Sequence, residues 1–291
     1  MIVSVIIVTF NGAKWIDNCL KSVYESDIPV DVIIIDNDSN DNTLDIIRSN
    51  YERAKVFSTG ENLGFGKANN IGIAHAINSG AEYIYLLNQD AYVEISTIRE
   101  LIVLSKRNID YGILSPIQLN GIGTKYDYNF KNIIETIDST SHKEPLVAVN
   151  FVMAAHWLIT RHCISKVGMF DPIFAHYGED NDYCNRVRYH DMKIGIANDV
   201  VAYHDREDRK FDIEKKINQM YRSGIAILTN INFSLVHCIG SFLHFSFRLL
   251  IRYRKYWNYS FWKQVYSLNY FIFSNFRKIL KRRKENKIQG I

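Results

Sequence analysis

The chain has 291 residues, of which 47% are hydrophobic and 23% are charged. That balance is typical of a globular protein and excludes a wholly disordered chain. The length allows one large domain, or one domain with an appendage. The four cysteines are scattered without a C-x-x-C spacing, which argues against a zinc site or a disulfide framework and fits a reducing compartment.

The net charge of +4 is distributed unevenly along the chain. Residues 248–291 hold 12 Lys and Arg side chains and a single acidic residue, Glu285, which gives this segment a formal charge of +11. Residues 1–247 carry 23 basic and 30 acidic side chains, or −7. An acidic body with a strongly basic tail predicts an anionic partner, either an anionic membrane surface or nucleic acid.

Strands and helices alternate in the predicted secondary structure of the first third. Continuous apolar runs predict strands at residues 2–9, 30–35, 55–58 and 83–87. Helical spacing of apolar residues predicts helices at residues 13–24, 44–47 and 68–79. This order predicts a parallel sheet with crossover helices, and therefore an α/β fold. The first run lacks a basic n-region and a small-residue cleavage site, so we expect a buried strand and not a signal peptide.

Polar and acidic side chains stand just past the ends of three of these runs. They are Thr9 and Asn11, then Asp36 and Asn37, then Asn88, Gln89 and Asp90. In an open α/β sheet, ligands bind outside the carboxyl ends of the strands. Each of these groups alone could be an ordinary loop cap, but their convergence predicts a binding edge.

A glycine-containing segment, residues 61–70, lies between the third and fourth runs. It holds Gly64, Gly66 and Lys67, but it is not the full dinucleotide fingerprint that opens a first helix. Two glycines, a lysine and a following helix N-terminus could approach a diphosphate. An ordinary turn is the alternative interpretation.

Three carboxylates, those of Glu179, Asp180 and Asp182, fall within four positions, and Arg186 follows the last of them by four residues. Such a cluster repels itself unless a positive group, or a proton to be moved, compensates it. A solvated acidic loop is the simpler interpretation. The turn signal at residues 167–172 and the apolar runs on either side predict a position at the rim of a core.

Together these segments resemble family 2 glycosyltransferases, which are inverting enzymes, and in particular the rhamnosyltransferase-like branch of bacterial surface polysaccharide biosynthesis. The resemblance covers residues 1–206 in order, through segments 5–12, 34–39, 62–72, 86–91, 168–171 and 178–183. It implies a GT-A fold over residues 1–220, which is Rossmann-like with a mostly parallel central sheet and flanking helices. A helical C-terminal extension over residues 221–291 would follow.

The resemblance also implies roles for individual residues. Asp180 would be the catalytic base and Glu179 would contact the acceptor. Asp90 would coordinate a divalent cation, Mg²⁺ or Mn²⁺, and His204 would be a further group on the metal or phosphate side. The residues expected to bind the nucleotide sugar are Thr9, Asn11, Asp36, Asn37, Asn62, Gly64, Asn69, Asn88 and Gln89, with Asp36 accepting a hydrogen bond from the base.

One position departs from the D-x-D pattern of the family, because Asn88 replaces its first acid. Asparagine supplies a carbonyl oxygen and no charge, so Asp90 is left as the strong hard-cation ligand of this motif. Asn88 is also the only feature that favours a non-catalytic nucleotide- or glycan-binding scaffold. A sugar nucleotidyltransferase is a further alternative, but residues 9–14 lack the glycine-rich basic loop that such enzymes place after the first strand.

The chemistry of glycosyl transfer requires two different groups. The leaving diphosphate gathers negative charge that a divalent cation and helix N-termini can stabilise. The acceptor hydroxyl must lose a proton, which calls for a carboxylate on the opposite face of the sugar. Neighbouring acids would raise the pKa of Asp180, whereas Asp182 is expected to pair with Arg186. His156 is predicted to be a polar wall residue.

The predicted reaction is inverting transfer of a hexose, or a deoxyhexose such as rhamnose, from a nucleotide-diphosphate donor. The acceptor would be a hydroxyl of a growing lipid-linked glycan or another oligosaccharide.

The C-terminal segment adds a second prediction. Residues 223–247 contain no Asp, Glu, Lys or Arg, and a polar stripe predicts an amphipathic helix that lies against the catalytic domain or in a membrane interface. Beyond it, aromatic and basic residues interleave. That mixture suits an anionic membrane surface, with a packed subdomain or homodimer interface as the alternative and nucleic acid the least favoured partner. We therefore expect a cytoplasmic enzyme, peripheral on the inner face of the cytoplasmic membrane.

Overall fold

A computed structural model describes residues 1–137, 144–175, 177–206, 219–220 and 222–288. Within these residues the centre of the molecule is a nine-stranded sheet. The strand order is β3-β2-β1-β4-β8-β6-β9-β5, and β7 pairs with β9. The strands are β1 Val3–Thr9, β2 Asp31–Asp36, β3 Lys55–Ser58, β4 Tyr83–Asn88, β5 Ala91–Val93, β6 Tyr111–Asn120, β7 Leu146–Val149, β8 His156–Thr160 and β9 Lys193–His204.

The first four strands form the parallel half of the sheet. Strand β1 pairs with β2 and β4, and β2 pairs with β3, all in parallel. The crossover helices are α1 Ile16–Tyr24, α2 Thr43–Asn50 and α3 Phe65–Asn78. These helices cover both faces of the sheet, so successive side chains of β1 are buried in two separate apolar clusters. Ile6 packs in the cluster that includes α3, and Val5 and Ile7 pack in the cluster that includes α1. Burial on both faces explains why these strands are continuous apolar runs.

The other half of the sheet is mixed. Strand β8 is antiparallel to β4 and β6, whereas β6 is parallel to β9. Strands β5 and β7 are each antiparallel to β9. The register places Ala91 opposite His204, so the end of β9 reaches the edge where β4 ends. Four helices accompany this half: α4 Thr97–Arg107, α5 Tyr128–Ile134, α6 Arg161–Val167 and α7 Glu179–Tyr189.

The C-terminal part is helical, as predicted, but the predicted polar stripe from Asn230 to Arg252 does not lie on one continuous helix. The chain instead forms α8 Ile225–Thr229, a break, and then α9 Leu235–Arg252. Ser234 caps α9, since its Oγ accepts from the N–H of His237 at 3.2 Å. Arg283 donates to the carbonyls of Leu228 and Asn230 at 2.8 and 2.6 Å, and these contacts end α8. A short 3-10 turn Arg254–Tyr256, α10 Tyr259–Ser274 and α11 Phe276–Glu285 follow.

The C-terminal helices pack on the α/β part through a separate apolar cluster. Ile173 and Phe174 contact a group contributed by the helices, among them Phe242, Leu249 and Ile279. In the described part of the chain, one helix, α9, satisfies the length and composition of a membrane span, and 17% of its window is buried. The predicted boundary at residue 220 stays a prediction, because residues 207–218 lie outside the described residues.

Candidate active site

A cleft of about 1220 Å³ opens at the carboxyl ends of β1, β2 and β4. Pockets for one small molecule usually span roughly 300–1,000 Å³, so this cleft has room for two substrates. Thr9, Asn11, Asp36, Asn69 and His204 do not line it. The predicted site residues that do line it are Asn37, Asn62, Gly64, Asn88, Gln89, Asp90, Glu179 and Asp180.

Asp36 lies behind the cleft wall, where it joins the ends of β1 and β2. Its side chain is buried and accepts the hydroxyls of Thr9 at 2.7 Å and Ser39 at 2.6 Å. The N–H of Ser39 also donates to it, at 3.0 Å. Asn11, with a left-handed φ of 49°, accepts from the N–H of Asn40 at 2.8 Å. The hydrogen bonds of both residues fix the loops that follow β1 and β2, beside the cleft.

The N-terminus of α3 forms another part of the cleft. Gly64 precedes it with a φ of 80°, a conformation that favours glycine. The Oδ1 of Asn62 accepts from the N–H of Gly64 at 3.0 Å, and Asn37 donates to the carbonyl of Gly64 at 3.4 Å. Asn69 is buried and donates back to the carbonyl of Phe65 at 3.0 Å. The N–H groups of such a helix start suit a diphosphate.

Gln89 joins the ends of the neighbouring strands β1 and β4 at the edge of the cleft. Its Oε1 accepts from the N–H of Phe10 at 2.9 Å, and its Nε2 donates to the carbonyl of Phe10 at 3.0 Å. A Cβ added at Gly12 would lie 2.2 Å from the Oε1 of Gln89. Glycine is therefore required at position 12 for this two-bond contact to form.

Asp90 and His204 bring a carboxylate and an imidazole together. The Nε2 of His204 lies 3.3 Å from the Oδ1 of Asp90, and Arg206 donates to the same nitrogen at 2.8 Å. The Nδ1 of His204 lies 3.6 Å from the buried carboxylate of Asp127. Burial and the charge of Arg206 lower the pKa of His204. The Nε2 of the neutral ring accepts the hydrogen bond from Arg206, so a cation bound at this nitrogen would take the place of that N–H group.

This pair fits part of a divalent cation site. No group of three or more His, Cys, Asp or Glu side chains that could hold a metal occurs among the described residues. Mg²⁺ and similar hard cations are commonly held by one or two protein ligands together with substrate phosphates. The amide of Asn88, with its Nδ2 3.4 Å from the Nε2 of His204, borders the same point.

The two predicted catalytic acids occupy the first turn of α7. Tyr177 and Gly178 lead into it with φ values of 69° and 96°. Burial raises the pKa of Glu179 to about 7, and the charge of Asp180 adds to this shift. Burial also raises the pKa of Asp180, although Asn181 donates to its Oδ1 from both its backbone and its side chain, at 2.8 and 3.2 Å. A raised pKa makes a carboxylate a stronger proton acceptor.

The raised pKa of Glu179 predicts a pH-dependent stability. Its folded pKa of about 7 exceeds the ordinary value of 4.5, so the native state binds this proton more tightly than the unfolded state does. Stability from this group is therefore greatest below pH 4.5 and falls as pH rises to 7. We expect the free energy of unfolding of Glu179→Gln to fall with pH by up to about 3 kcal/mol less than that of the wild type. Urea unfolding of both proteins at pH 5 and pH 8 measures the two decreases. Equal decreases in the two proteins would contradict the raised pKa.

Asp182 and Arg186 form the predicted pair, and both are buried. The Nε of Arg186 lies 2.9 Å from the Oδ2 of Asp182. The guanidinium also donates to the carbonyls of Val167 and Met169 at 2.9 and 2.8 Å, and the hydroxyl of Thr229 donates to Asp182 at 2.8 Å. The pair therefore joins α7 to the preceding turn and to α8.

Asn70, which the sequence analysis did not assign, connects α3 to the same turn. Its amide exchanges two hydrogen bonds with the backbone of Phe170, both at 2.9 Å. A Cβ added at Gly66 would lie 3.2 Å from the Cβ of Phe170 and 3.5 Å from the Cβ of Glu179. Helix α3 thus approaches the acidic turn closely. Asn70 lies within residues 62–72, one of the segments that resemble the family, and this position could have singled it out.

His156 is fully buried and does not line the cleft, so the prediction of a wall residue is wrong. Its Nδ1 lies 3.0 Å from the hydroxyl of Tyr85, and its Nε2 lies 3.0 Å from the carbonyl of Tyr203. Burial, with the nearby His204, lowers its pKa to about 3, so the ring is neutral and serves as a core hydrogen-bonding group.

A parallel α/β half-sheet with polar groups at its carboxyl edge, and an acidic helix start in the same cleft, are typical of the nucleotide-sugar-binding class of enzymes. Residues 4–154 match the family model described as glycosyl transferase family 2. The chain belongs to that family and is a glycosyltransferase, which confirms the predicted family.

Curated relatives agree with this assignment. The chain is 24% identical over 213 residues to the low-salt glycan biosynthesis hexosyltransferase Agl10 of Haloferax volcanii, covering 70% of this chain and 67% of that protein. It is 26% identical over 188 residues to the dTDP-rhamnosyl transferase RfbF of Shigella flexneri, covering 62% of each. The chain thus spans about two thirds of the length of the first relative and less of the second.

Solved structures share the fold at low identity. The mannosyltransferase PcManGT from Pyrobaculum calidifontis, in complex with GDP-Man and Mn²⁺, matches with a TM-score of 0.62 at 15% identity, over 98% of this chain and 84% of that chain. S. aureus TarS 1-349, in complex with UDP-GlcNAc, matches with a TM-score of 0.60 at 17% identity, over 99% and 88%. The predicted GT-A fold with C-terminal helices is confirmed.

Proposed function

We propose that this glycosyltransferase moves a hexose or deoxyhexose from a nucleotide diphosphate to a glycan hydroxyl, with inversion. The observation that carries the proposal is the single cleft that holds Asp90, next to His204, together with Glu179 and Asp180. The part near Asp90 suits the donor diphosphate, and the part near Glu179 and Asp180 suits an acceptor hydroxyl that must lose its proton. The similarity to a hexosyltransferase and to a dTDP-rhamnosyl transferase supports the sugar class.

In this mechanism Asp180 accepts the proton of the acceptor hydroxyl as the oxygen attacks. Attack on the face opposite the leaving diphosphate inverts the anomeric centre. Glu179 contacts the acceptor beside the base, and the N-terminal N–H groups of α3 stabilise the charge of the diphosphate. A divalent cation bound by Asp90 and His204 would supply further positive charge to the leaving group.

The proposal is tested by offering the enzyme a panel of UDP-, GDP- and dTDP-sugars and measuring the release of nucleotide diphosphate, without and with glycan acceptors. A transferase releases nucleotide diphosphate slowly without an acceptor and faster with one. Nucleotide binding without any release would favour the non-catalytic scaffold. Release of a nucleotide monophosphate or of pyrophosphate would favour the nucleotidyltransferase.

The cation role predicts a specific loss in Asp90→Asn. We expect this variant to lose the Mn²⁺-dependent gain in nucleotide affinity, a decrease on the order of tenfold to a hundredfold, because it removes the one charged ligand. Calorimetric titration of nucleotide with Mn²⁺ and with EDTA measures the gain. His204→Ala should also reduce the Mn²⁺-dependent gain in nucleotide affinity. The affinity measured in EDTA should stay unchanged in both variants. An unchanged response to Mn²⁺ would refute the ligand role of Asp90.

We further propose that the C-terminal helices bind an anionic membrane surface, which would bring the enzyme to a lipid-linked acceptor. Two helices carry exposed apolar residues at helical spacing, and residues 248–291 carry the charge of +11. Aromatic and cationic side chains together favour the headgroup region. The exposed residues are Val236, Leu243, Phe247 and Ile251 on α9, and Tyr259, Trp262, Tyr266, Tyr270 and Phe273 on α10.

Vesicle sedimentation tests this surface. We expect the protein to bind vesicles that contain phosphatidylglycerol, to bind neutral phosphatidylcholine vesicles weakly, and to be released by salt. The triple variant Tyr266→Ser/Tyr270→Ser/Phe273→Ser should lose most of the binding. Tyr128→Ser, at an equally exposed tyrosine on α5, should not. Dimers in light scattering without vesicle binding would assign the surface to a second copy instead.

A further inference from the structure

Helix α7 brings a second charged group into the cleft, beyond its acidic first turn. Arg188 lies eight residues after Asp180, roughly 12 Å along the helix axis, and both residues line the same cleft. None of the residues expected to bind the donor lies at this end. The hydrogen bond of Arg188 to Asn150 places this end beside the residues that follow β7. The same cleft is also lined by residues of α5, of β7 and of the start of β9, among them Asn129, Asn132, Val149, Phe151 and Ile194.

Among the described residues, the guanidinium of Arg188 has only neutral partners. Its Nη2 donates to the Oδ1 of Asn185 at 2.6 Å, and its Nη1 donates to the Oδ1 of Asn150 at 3.4 Å. Its Nε is buried without a hydrogen-bond partner. No carboxylate of the described residues lies within 4.0 Å of it, whereas Arg186, two residues earlier, has Asp182.

The other cation at this end of the cleft is already neutralised. The Nζ of Lys193 lies 2.6 Å from the Oδ2 of Asp110. In the part of the chain that the structure describes, Arg188 is therefore the cation at this end of the cleft that has no carboxylate partner. An arginine fork binds carboxylate and phosphate oxygens through two parallel hydrogen bonds, which a neutral sugar hydroxyl cannot match.

We propose that this end of the cleft is an acceptor subsite for an oxyanion, with Arg188 binding a carboxylate or phosphate carried by the acceptor glycan. The inference rests on the proposed function, because it takes Asp180 as the point where the acceptor hydroxyl reacts. The oxyanion then lies roughly 12 Å from that hydroxyl along α7. A uronic acid residue and a sugar phosphate both supply such a group. Val149, Phe151 and Ile194 also line the cleft and are apolar, as a surface that packs against a sugar ring should be.

Binding of small probes to the full chain tests the subsite without requiring transfer. Ligand-observed NMR compares glucuronic acid, glucose 1-phosphate and glucose, each with the wild type, Arg188→Gln and Arg188→Lys. We expect an anionic probe to bind in preference to glucose, and Arg188→Gln to weaken it by about tenfold or more. Arg188→Lys should fall between, because it keeps the charge and loses the fork. Arg107→Gln, on the exposed end of α4, is the matched control and should not change binding.

The outcomes separate the subsite from the proposed function. Preference for glucose 1-phosphate indicates a phosphate-bearing acceptor, and preference for glucuronic acid indicates an acidic sugar. Equal binding of glucose and both anions, or equal binding by wild type and Arg188→Gln, overturns the subsite. Nucleotide titration of the same proteins tests the proposed function: wild type that binds the anions and no nucleotide would overturn that function and leave the anion site.

Discussion

Asp180→Asn is expected to abolish glycosyl transfer while nucleotide binding persists. The substitution keeps the shape of the side chain and removes its capacity to accept a proton. General base catalysis typically contributes about 10²–10⁴-fold, so kcat should fall by at least that factor. Asp180 lies on α7, whereas the Asp90–His204 pair lies at the ends of β4 and β9, and the substitution leaves that pair unchanged, so the donor affinity should be retained. Initial rates of nucleotide diphosphate release with acceptor, and nucleotide titration by calorimetry, measure the two quantities.

The pH profile and a neighbouring variant sharpen this test. Because burial raises the pKa of Asp180, the wild-type rate should rise with pH through a midpoint above the ordinary aspartate value of 3.8. Glu179→Gln should mainly raise the KM for acceptor, since Glu179 contacts the acceptor and Asp180 takes the proton. Near-normal turnover of Asp180→Asn would remove Asp180 as the base. A larger loss of kcat in Glu179→Gln than in Asp180→Asn would exchange the two roles.

The parallel half of the sheet could be predicted from the sequence almost to the residue. The run at residues 2–9 became β1 Val3–Thr9, and the run at 83–87 became β4 Tyr83–Asn88. Strands buried on both faces are continuous apolar runs, which is a local signal. The mixed half has no such signal. Strand β5 has three residues, and it pairs with a β9 partner more than a hundred residues away.

The sequence predicted where the site lies in the fold, but it predicted only in part which side chains face the cleft. The rule for carboxyl ends of parallel strands placed Asn37, Asn88 and Asp90 on one edge, and all three line the cleft. Asp36 lies behind the wall because Thr9 and Ser39 donate to it. Such choices depend on neighbours that strand periodicity does not specify. Arg188, within the acidic helix, was not singled out because a lone arginine on a polar helix is an ordinary solvated group.

The C-terminal helices differ from the rest of the chain in their basic and aromatic composition. They nevertheless form hydrogen bonds and an ion pair with the turn before the acidic helix α7. The Nε of Arg282 lies 2.9 Å from both carboxylate oxygens of Asp171, and Asn286 donates to the same group at 2.8 Å. Asp171 ends the turn that the Asp182–Arg186 pair joins to α7. The net charge of a segment does not predict which of its side chains pair with residues more than a hundred positions away. The +11 segment therefore supplies structural bonds to the catalytic domain as well as surface charge.

Arg186→Met is expected to cause the largest loss of stability among single substitutions near the site. Arg186 and Asp182 have side chains only 2% and 1% exposed. Removing the arginine leaves a buried carboxylate without its charged partner, and it leaves one buried and one partly buried carbonyl without their donor. Breaking a buried pair in this way typically costs about 3–5 kcal/mol. Urea unfolding at pH 7 measures the difference in unfolding free energy.

Two further variants distinguish burial of an uncompensated charge from loss of packing. Arg99→Met removes one partner of the exposed Arg99–Asp27 pair and should have far less effect, because solvent screens surface pairs. The double variant Asp182→Asn/Arg186→Met should regain part of the stability, since the amide carries no charge to bury. A loss in Arg186→Met no larger than in Arg99→Met would refute the structural role of the pair. Because the pair fixes α7 against its preceding turn, a partly destabilised Arg186→Met should also lose transfer activity through displacement of Asp180.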